Sequence, residues 1–272
     1  MTARMREYIK KDKGMLFIPF ITAGDPDNES TVQIALMLQS IGANALELGI
    51  PYSDPLADGP VIQEASKRAL SHGETLFDAM ALVKMMRRQG LKIPVIIFTY
   101  ANVLLQFGVD VFFQQAKTIG VDGLLVPDLP YEESRLLADT CRKQDMSLIS
   151  LVAPTTSDRR LSMICNEAQG FIYCVSSLGV TGMRKSFHPD VFPFLKRVKK
   201  VSELPIAVGF GISSSEQVEE LKNHADGFIV GSAIVTLIGR YTIELADSGT
   251  RSSAVDQIRR LLCEKLFVPV NK

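Results

Sequence analysis

The chain has 272 residues, 46% of them hydrophobic, and its 30 Lys and Arg balance 30 Asp and Glu for a formal net charge of +0. That balance argues against nucleic acid or an anionic membrane as partner, since both need a basic surplus. The apolar fraction is ample for one large core.

The chain opens on a charged, helix-prone segment, Met1 to Lys13, which does not read as a signal peptide. No later apolar stretch reaches the length of a membrane span. Eight short apolar runs follow: Leu16 to Ile21, Ala45 to Gly49, Pro94 to Phe98, Gly123 to Val126, Ser147 to Val152, Phe171 to Val175, Ile206 to Val208 and Gly227 to Val230. The segments between them carry helical spacing, as in Val32, Ala35, Leu36 and Leu38, or Leu76, Ala79, Met80, Val83 and Met86. Strands that are apolar on both faces and alternate with helices call for a parallel sheet covered by helices. Eight units predict an α/β fold, a (β/α)8 TIM barrel, with a doubly wound open sheet as the alternative. An extra helix is expected before the first strand, and a C-terminal helix with the stripe Ala254, Ile258, Leu261, Leu262 and Leu266. No linker divides the chain, so residues 1–272 are expected to form a single barrel domain. Four scattered cysteines, Cys141, Cys165, Cys174 and Cys263, form no CxxC. Reduced thiols in a cytoplasmic protein are expected rather than disulfides or zinc.

In a barrel of this kind the chemistry sits at the C-terminal ends of the strands. The segment Leu46 to Gly59 stands out there. A buried strand carries Glu47 in its middle, and the loop after it carries Asp54 and Asp58. Burying a carboxylate without a partner costs several kcal/mol, in the range of ~2–7 or more, so one placed there marks an acid/base site. Glu47 competes with a structural role as half of a buried ion pair, but no cation lies at a strand-interior position. Asp58 competes with a role as helix N-cap before Gly59 and Pro60. Asp54 reads as a loop-fixing residue. The loops after the last three strands concentrate Gly and Ser. Gly182, Gly211, Gly231 and Ser232 suit a phosphate held on backbone N–H groups.

Other features narrow the chemistry. No Lys lies in a strand or at its end, so a lysine Schiff base is not expected. His72, His188 and His224 form no cluster, so no metal site is expected. The pairs Lys10-Lys11 and Arg87-Arg88 read as solvated helix ends. What remains is two carboxylates, a phosphate grip and an apolar pocket drawn from residues such as Phe20, Phe98, Tyr100, Leu125, Leu151, Tyr173 and Phe210. Such a site suits proton transfers on a phosphorylated substrate with a flat apolar part.

Leu46 to Gly59 (LELGIPYSDPLADG) resembles the signature of the tryptophan synthase α chain family. Seven further stretches agree in order: Pro19 to Pro26, Thr99 to Asn102, Val126 to Pro130, Ala153 to Thr156, Gly179 to Gly182, Gly209 to Ser213 and Gly231 to Val235. The resemblance implies a barrel lyase that splits indole-3-glycerol phosphate into indole and D-glyceraldehyde 3-phosphate in L-tryptophan biosynthesis. It implies no cofactor in this chain and a β chain partner that carries pyridoxal phosphate, joined as an α2β2 heterotetramer. By motif, Glu47 and Asp58 are the catalytic pair, and Tyr173 lies beside Glu47. Phe20, Tyr100, Leu125 and Phe210 sandwich the indole, and Gly182, Gly211, Gly231 and Ser232 hold the phosphate. Thr181 belongs to a loop that closes over the site and contacts Asp58. Two departures stand out: Ser177 and Leu178 replace an Arg and a small residue common in the family, and Val103 follows Asn102 where Pro is common. Two readings compete with this one. One is another phosphosugar barrel such as an isomerase, and the other is a docking subunit that only stimulates a partner. Motif order counts against the first, and the buried carboxylate against the second.

Overall fold

The structure is a computed structural model and describes residues 1–10, 14–176, 187–209 and 211–267. Its strands are β1 (Leu16–Thr22), β2 (Leu46–Gly49), β3 (Val95–Phe98), β4 (Gly123–Leu125), β5 (Ser147–Leu148), β6 (Ser150–Val152), β7 (Ile172–Val175), β8 (Ile206–Gly209) and β9 (Gly227–Val230). The helices of the first half are α1 (Ala3–Tyr8), α2 (Asn28–Ser40), α3 (Pro60–Ser71), α4 (Leu76–Arg88), α5 (Ala101–Phe107) and α6 (Val109–Ile119). Those of the second half are α7 (Tyr131–Lys143), α8 (Asp158–Glu167), α9 (Val191–Val201), α10 (Ser215–Leu221), α11 (Ser232–Arg240), α12 (Thr242–Ala246) and α13 (Arg251–Leu266). Among the described residues, no helix is long and apolar enough to cross a membrane.

All neighbouring strands are parallel. They run in the order β5-β4-β3-β2-β1-β9-β8-β7-β6. The two ends of that order, β5 and β6, are consecutive pieces of chain separated only by Ile149, so the sheet closes on itself as an α/β barrel. The fifth expected strand is thus present in two pieces. Its lower half pairs with β4 through Gly123↔Ser147 and Leu124↔Leu148, and its upper half with β7 from Ser150↔Ile172 onward. This offset is the stagger that strand tilt imposes on a closed barrel.

Alternation along each strand divides the core in two. Leu46 and Leu48 face the helices with Val95, Ile97, Leu124, Ile172 and Val208. Ile18, Ile96, Leu125, Tyr173, Ala207 and Ile229 fill the barrel interior. Glu47 lies between two outward leucines and therefore points in.

The ends of the helices follow local rules. Asp27 caps α2 by accepting from the Ser30 N–H, and Thr75 and Asp78 form a capping box on α4. The helix α13 buries Ala254, Ile258, Leu262 and Leu266 at four-residue spacing. At the N-terminal end of the barrel, α1 acts as a plug: Met5 is fully buried and, with Ile9, joins the interior cluster.

The same end corrects one sequence expectation. Arg87 is not a solvated helix end. Its side chain is 14% exposed and pairs with the fully buried Asp122 at 2.6 Å. It also donates to the carbonyls of Leu91, Ile93 and Gly120. The helix α4 ends over the turn that feeds β4, which carries Asp122 inward. Arg88 remains exposed, as expected.

Candidate active site

The C-terminal end of the barrel opens into a cleft of about 490 Å³, counting its mouth. Glu47, Asp58 and Tyr173 form its polar wall. Phe20, Phe98, Ile62 and Ile229 form the apolar walls, and Gly211, Ile212, Gly231 and Ser232 the side facing β8 and β9. A second cleft, walled by Leu129, Pro130, Tyr131, Ser150, Leu151 and Ile164 among others, has no carboxylate among its described lining residues.

The register of the strands places the pieces. Phe20 in β1 pairs with Glu47 in β2, and Glu47 with Ile96 in β3. Phe20 and Phe98 meet edge to face with centroids 5.5 Å apart. Small residues make room for the rings. A Cβ on Gly49 would lie 2.3 Å from Phe20 Cζ, and one on Gly209 would lie 2.3 Å from Tyr173 Oη. Gly209→Ala is therefore expected to drive the Tyr173 ring from its place and lower kcat/KM for the site's substrate roughly tenfold, from overpacking of ~1–3 kcal/mol. Steady-state kinetics beside a thermal melt check this. An unchanged KM and kcat would show that Tyr173 has slack the structure does not.

Glu47 is 1% exposed. Its Oε1 has no hydrogen-bond partner among the described residues. No described Lys or Arg forms an ion pair with it. Burial alone pushes its carboxyl up to about 8. Asp58, 7% exposed, sits in the loop just before α3. Gly59 rather than Asp58 is the N-cap of α3. The Asp58 carboxylate instead accepts the Tyr100 hydroxyl at 2.9 Å, and Tyr100 Oη accepts the Ala57 N–H at 3.0 Å. Burial raises the Asp58 carboxyl, and the Tyr100 hydrogen bond partly offsets that rise. The Tyr173 phenol is held well above its ordinary value by burial and by the fields of Glu47 and Asp58. The cleft thus holds two carboxyls with different environments. One is buried with its Oε1 unpartnered among the described residues, and the other has a donor on its charged form, which separates their proton affinities.

Of the expected site residues, the structure brings together Glu47, Asp58, Phe20, Tyr173, Gly211, Gly231 and Ser232 around one cleft. Two sit elsewhere than a sandwich would place them. Tyr100 stands behind Asp58 as its hydrogen-bond donor, its ring against Tyr52 at 5.1 Å. Leu125 is fully buried in the barrel interior, one residue level with Phe98 in the register, and does not line the cleft. Thr181, Gly182 and Phe210 lie outside the described residues, as do Ser177 and Leu178. Asp54 is exposed and accepts a hydrogen bond from Ser53. Ile62, Ile212 and Ile229 line the cleft without having been expected. Only the period-two alternation of β9 could have signalled Ile229. Among the described residues, no three His, Cys, Asp or Glu side chains are grouped so as to hold a metal ion.

Comparison with known proteins agrees with this geometry. The profile of the family "Tryptophan synthase alpha chain" matches residues 7–261. The tryptophan synthase alpha chain of Shouchella clausii is 62% identical over 260 residues, 96% of both chains. That of Bacillus subtilis is 52% identical over 242 residues, 89% of this chain and 90% of the relative. In the solved tryptophan synthase a2b2 complex of Pyrococcus furiosus, one chain superposes with a TM-score of 0.81 at 39% identity, covering 92% of this chain and 96% of that one. A family match over nearly the whole length, on a barrel with a carboxylate pair at its mouth, shows that the chain belongs to the tryptophan synthase alpha chain family.

Proposed function

We propose that this chain cleaves indole-3-glycerol phosphate to indole and D-glyceraldehyde 3-phosphate, with Glu47 and Asp58 as the catalytic pair. The observation that carries the reading is the buried Glu47 carboxyl, its Oε1 without a hydrogen-bond partner among the described residues, in one apolar cleft with Asp58 and Tyr173. A carboxyl pushed up to about 8 is protonated at neutral pH and able to act as an acid.

The chemistry follows from what each group can do. Breaking the bond between the indole ring and the glycerol chain needs an electron sink. Protonating the ring carbon that bears the chain turns the ring into one, with positive charge on its nitrogen. Glu47 delivers that proton. Asp58 accepts the ring N–H and stabilises the charge, its charged form favoured by the Tyr100 hydrogen bond. The Glu47 carboxylate then takes the proton of the adjacent side-chain hydroxyl. The carbon–carbon pair returns to the ring, the chain leaves as an aldehyde, and Glu47 is protonated again. Phe20, Phe98, Ile62 and Ile229 supply flat apolar walls for the indole.

The phosphate falls to the far side of the cleft. The helix α11 begins at Ser232 after Gly231, and no side chain among the described residues caps it. Its first N–H groups are free for an anion. Gly211, with φ +85°, supports a close backbone approach. Thr181, Gly182 and Phe210 complete the site in this reading.

The chain works as the α subunit of an α2β2 heterotetramer in the cytoplasm. The β chain there holds pyridoxal phosphate and receives the indole. Apolar side chains on the barrel's catalytic face support such docking: Leu56 is 81% exposed and Leu105 68%. Indole release by the purified chain, with and without a β chain, tests the reading. Asp58→Asn is expected to lower kcat about 100-fold or more, in the ~10²–10⁴ range of acid–base and charge-stabilising groups. Stimulation of a β chain without any indole release would replace the lyase by a docking subunit.

A further inference from the structure

The helix α3 carries the floor of the Asp58 loop, yet its own apolar attachment is thin. It buries Ile62, Ala65, Ser66 and Ala69, of which only Ile62 is large. Ile62 and Ala65 pack on Phe20 and Val235. A side of two alanines, one serine and one isoleucine gives little shape to resist sliding or tilting. Asp58 moves with this helix, because Gln63 Nε2 donates to the Asp58 carbonyl at 2.8 Å.

A polar clamp lies at the helix's other end. Arg68 donates Nε to Asp25 Oδ1 at 2.7 Å and Nη2 to Asp25 Oδ2 at 2.9 Å. Asp25 is 1% exposed. It sits in the turn after β1, the strand that pairs Phe20 with Glu47. That turn is itself fixed, with Ala23 N–H on the Gly49 carbonyl at 2.8 Å and Gly24 N–H on Thr31 Oγ1. Neither Arg68 nor Asp25 lines the cleft. A two-pronged guanidinium–carboxylate pair fixes orientation as well as distance, which a lysine cannot do.

We propose that Arg68 is a positioning residue for the cleavage reaction: its fork on Asp25 locks α3 to the Glu47-bearing side of the barrel and so sets Asp58 against Glu47. The proposal rests on Glu47 and Asp58 being the catalytic pair. Displacement of a catalytic group by ~1 Å costs up to about 100-fold in rate.

The test is indole release by Arg68→Lys, Arg68→Met and Asp25→Asn chains, assayed where melts show each to be folded. The expected result is a kcat lowered about 10–100-fold with KM little changed, in Lys as in Met, since both lose the fork. The double variant Arg68→Met with Asp25→Asn should be no worse than either single one. The acid limb of the pH profile should move to higher pH, because Asp58 drawn from Tyr100 loses the donor that holds its proton affinity down. Variants that lower only the melting temperature, with kcat and pH profile unchanged, would overturn the proposal. A Glu47→Gln control separates the two ideas. Full activity in that control removes the catalytic pair and the positioning role together. An inactive control beside unchanged Arg68 variants removes the positioning role alone.

Discussion

Glu47→Gln is expected to lower indole release at least about 1,000-fold while leaving the fold intact, since it removes both the acid and the base of one proton cycle, each worth ~10²–10⁴. Gln fills the same space but neither gives nor takes the proton. In the wild type, kcat/KM should fall as pH rises through about 8, where the free chain loses the Glu47 proton. Stability should respond in the same direction. The folded-state value, about 8, lies above the ordinary 4.5, so between these two the folded chain binds more protons than the unfolded one. The contribution is fully present below about 4.5 and is lost as pH rises through about 8. Glu47→Gln removes this dependence, so the variant should be the more stable chain at pH 9, by an amount on the order of a few kcal/mol. Urea unfolding at pH 5 and pH 9 reads it directly. An active Gln variant, or one less stable than wild type at pH 9, would remove Glu47 from the centre of the chemistry. A group kept for catalysis at the expense of stability shows both effects at once, and a group kept for structure shows neither.

The expense of Glu47 was visible in the sequence because a strand is a period-two object. Leu46 and Leu48 had to face the helices, which left Glu47 to face the interior. The eight-unit pattern was legible for the same reason. The places that departed from expectation are those where position depends on curvature rather than period. Tyr100 looked like an indole wall because it follows an apolar strand. In the structure it is the N-cap residue of α5, which turns it behind Asp58. Leu125 looked like a wall too, but in the structure it packs in the barrel interior, level with Phe98, and does not line the cleft. Ile62 read as ordinary helix core. It lines the cleft from the first turn of α3, just after the Asp58 loop. The glycines proposed to hold the phosphate stood out in the sequence only as loop composition, and Gly231 draws its proposed role from the helix that starts after it. Arg87 was misplaced because a basic pair at a helix end is usually solvated. The contrary signal was Asp122, an acid wedged between Val121 and Gly123 at the entry to a buried strand.

Asp122→Ala is expected to destabilise the chain by about 3–5 kcal/mol, the usual cost of breaking a buried ion pair from one side. The carboxylate is fully buried and serves four donors at once. Arg87 reaches it at 2.6 Å, Arg4 at 3.0 Å, Thr2 Oγ1 at 2.6 Å and the Val95 N–H at 3.0 Å. Removing it strands a largely buried guanidinium, which desolvation has already brought down to about 10, and orphans the first N–H of β3. It also unfastens α1, whose Met5 plugs the barrel floor. Urea unfolding should show the loss, and proteolysis should cut the segment Met1 to Ile9 faster. Asp122→Leu combined with Arg87→Met should cost clearly less than Asp122→Ala, because the penalty lies in the charge left behind rather than in the pair itself. If the double variant is the worse of the two, the pair is net stabilising and that reasoning fails. Indole release per folded molecule should hold close to wild type in both, because this network lies at the N-terminal end of a barrel whose chemistry sits at the other. The fold therefore separates its two costly carboxylates. Asp122, with four donors on its carboxylate, anchors the bottom, and Glu47, with its Oε1 unpartnered among the described residues, stands at the top, where the proposed reaction uses it.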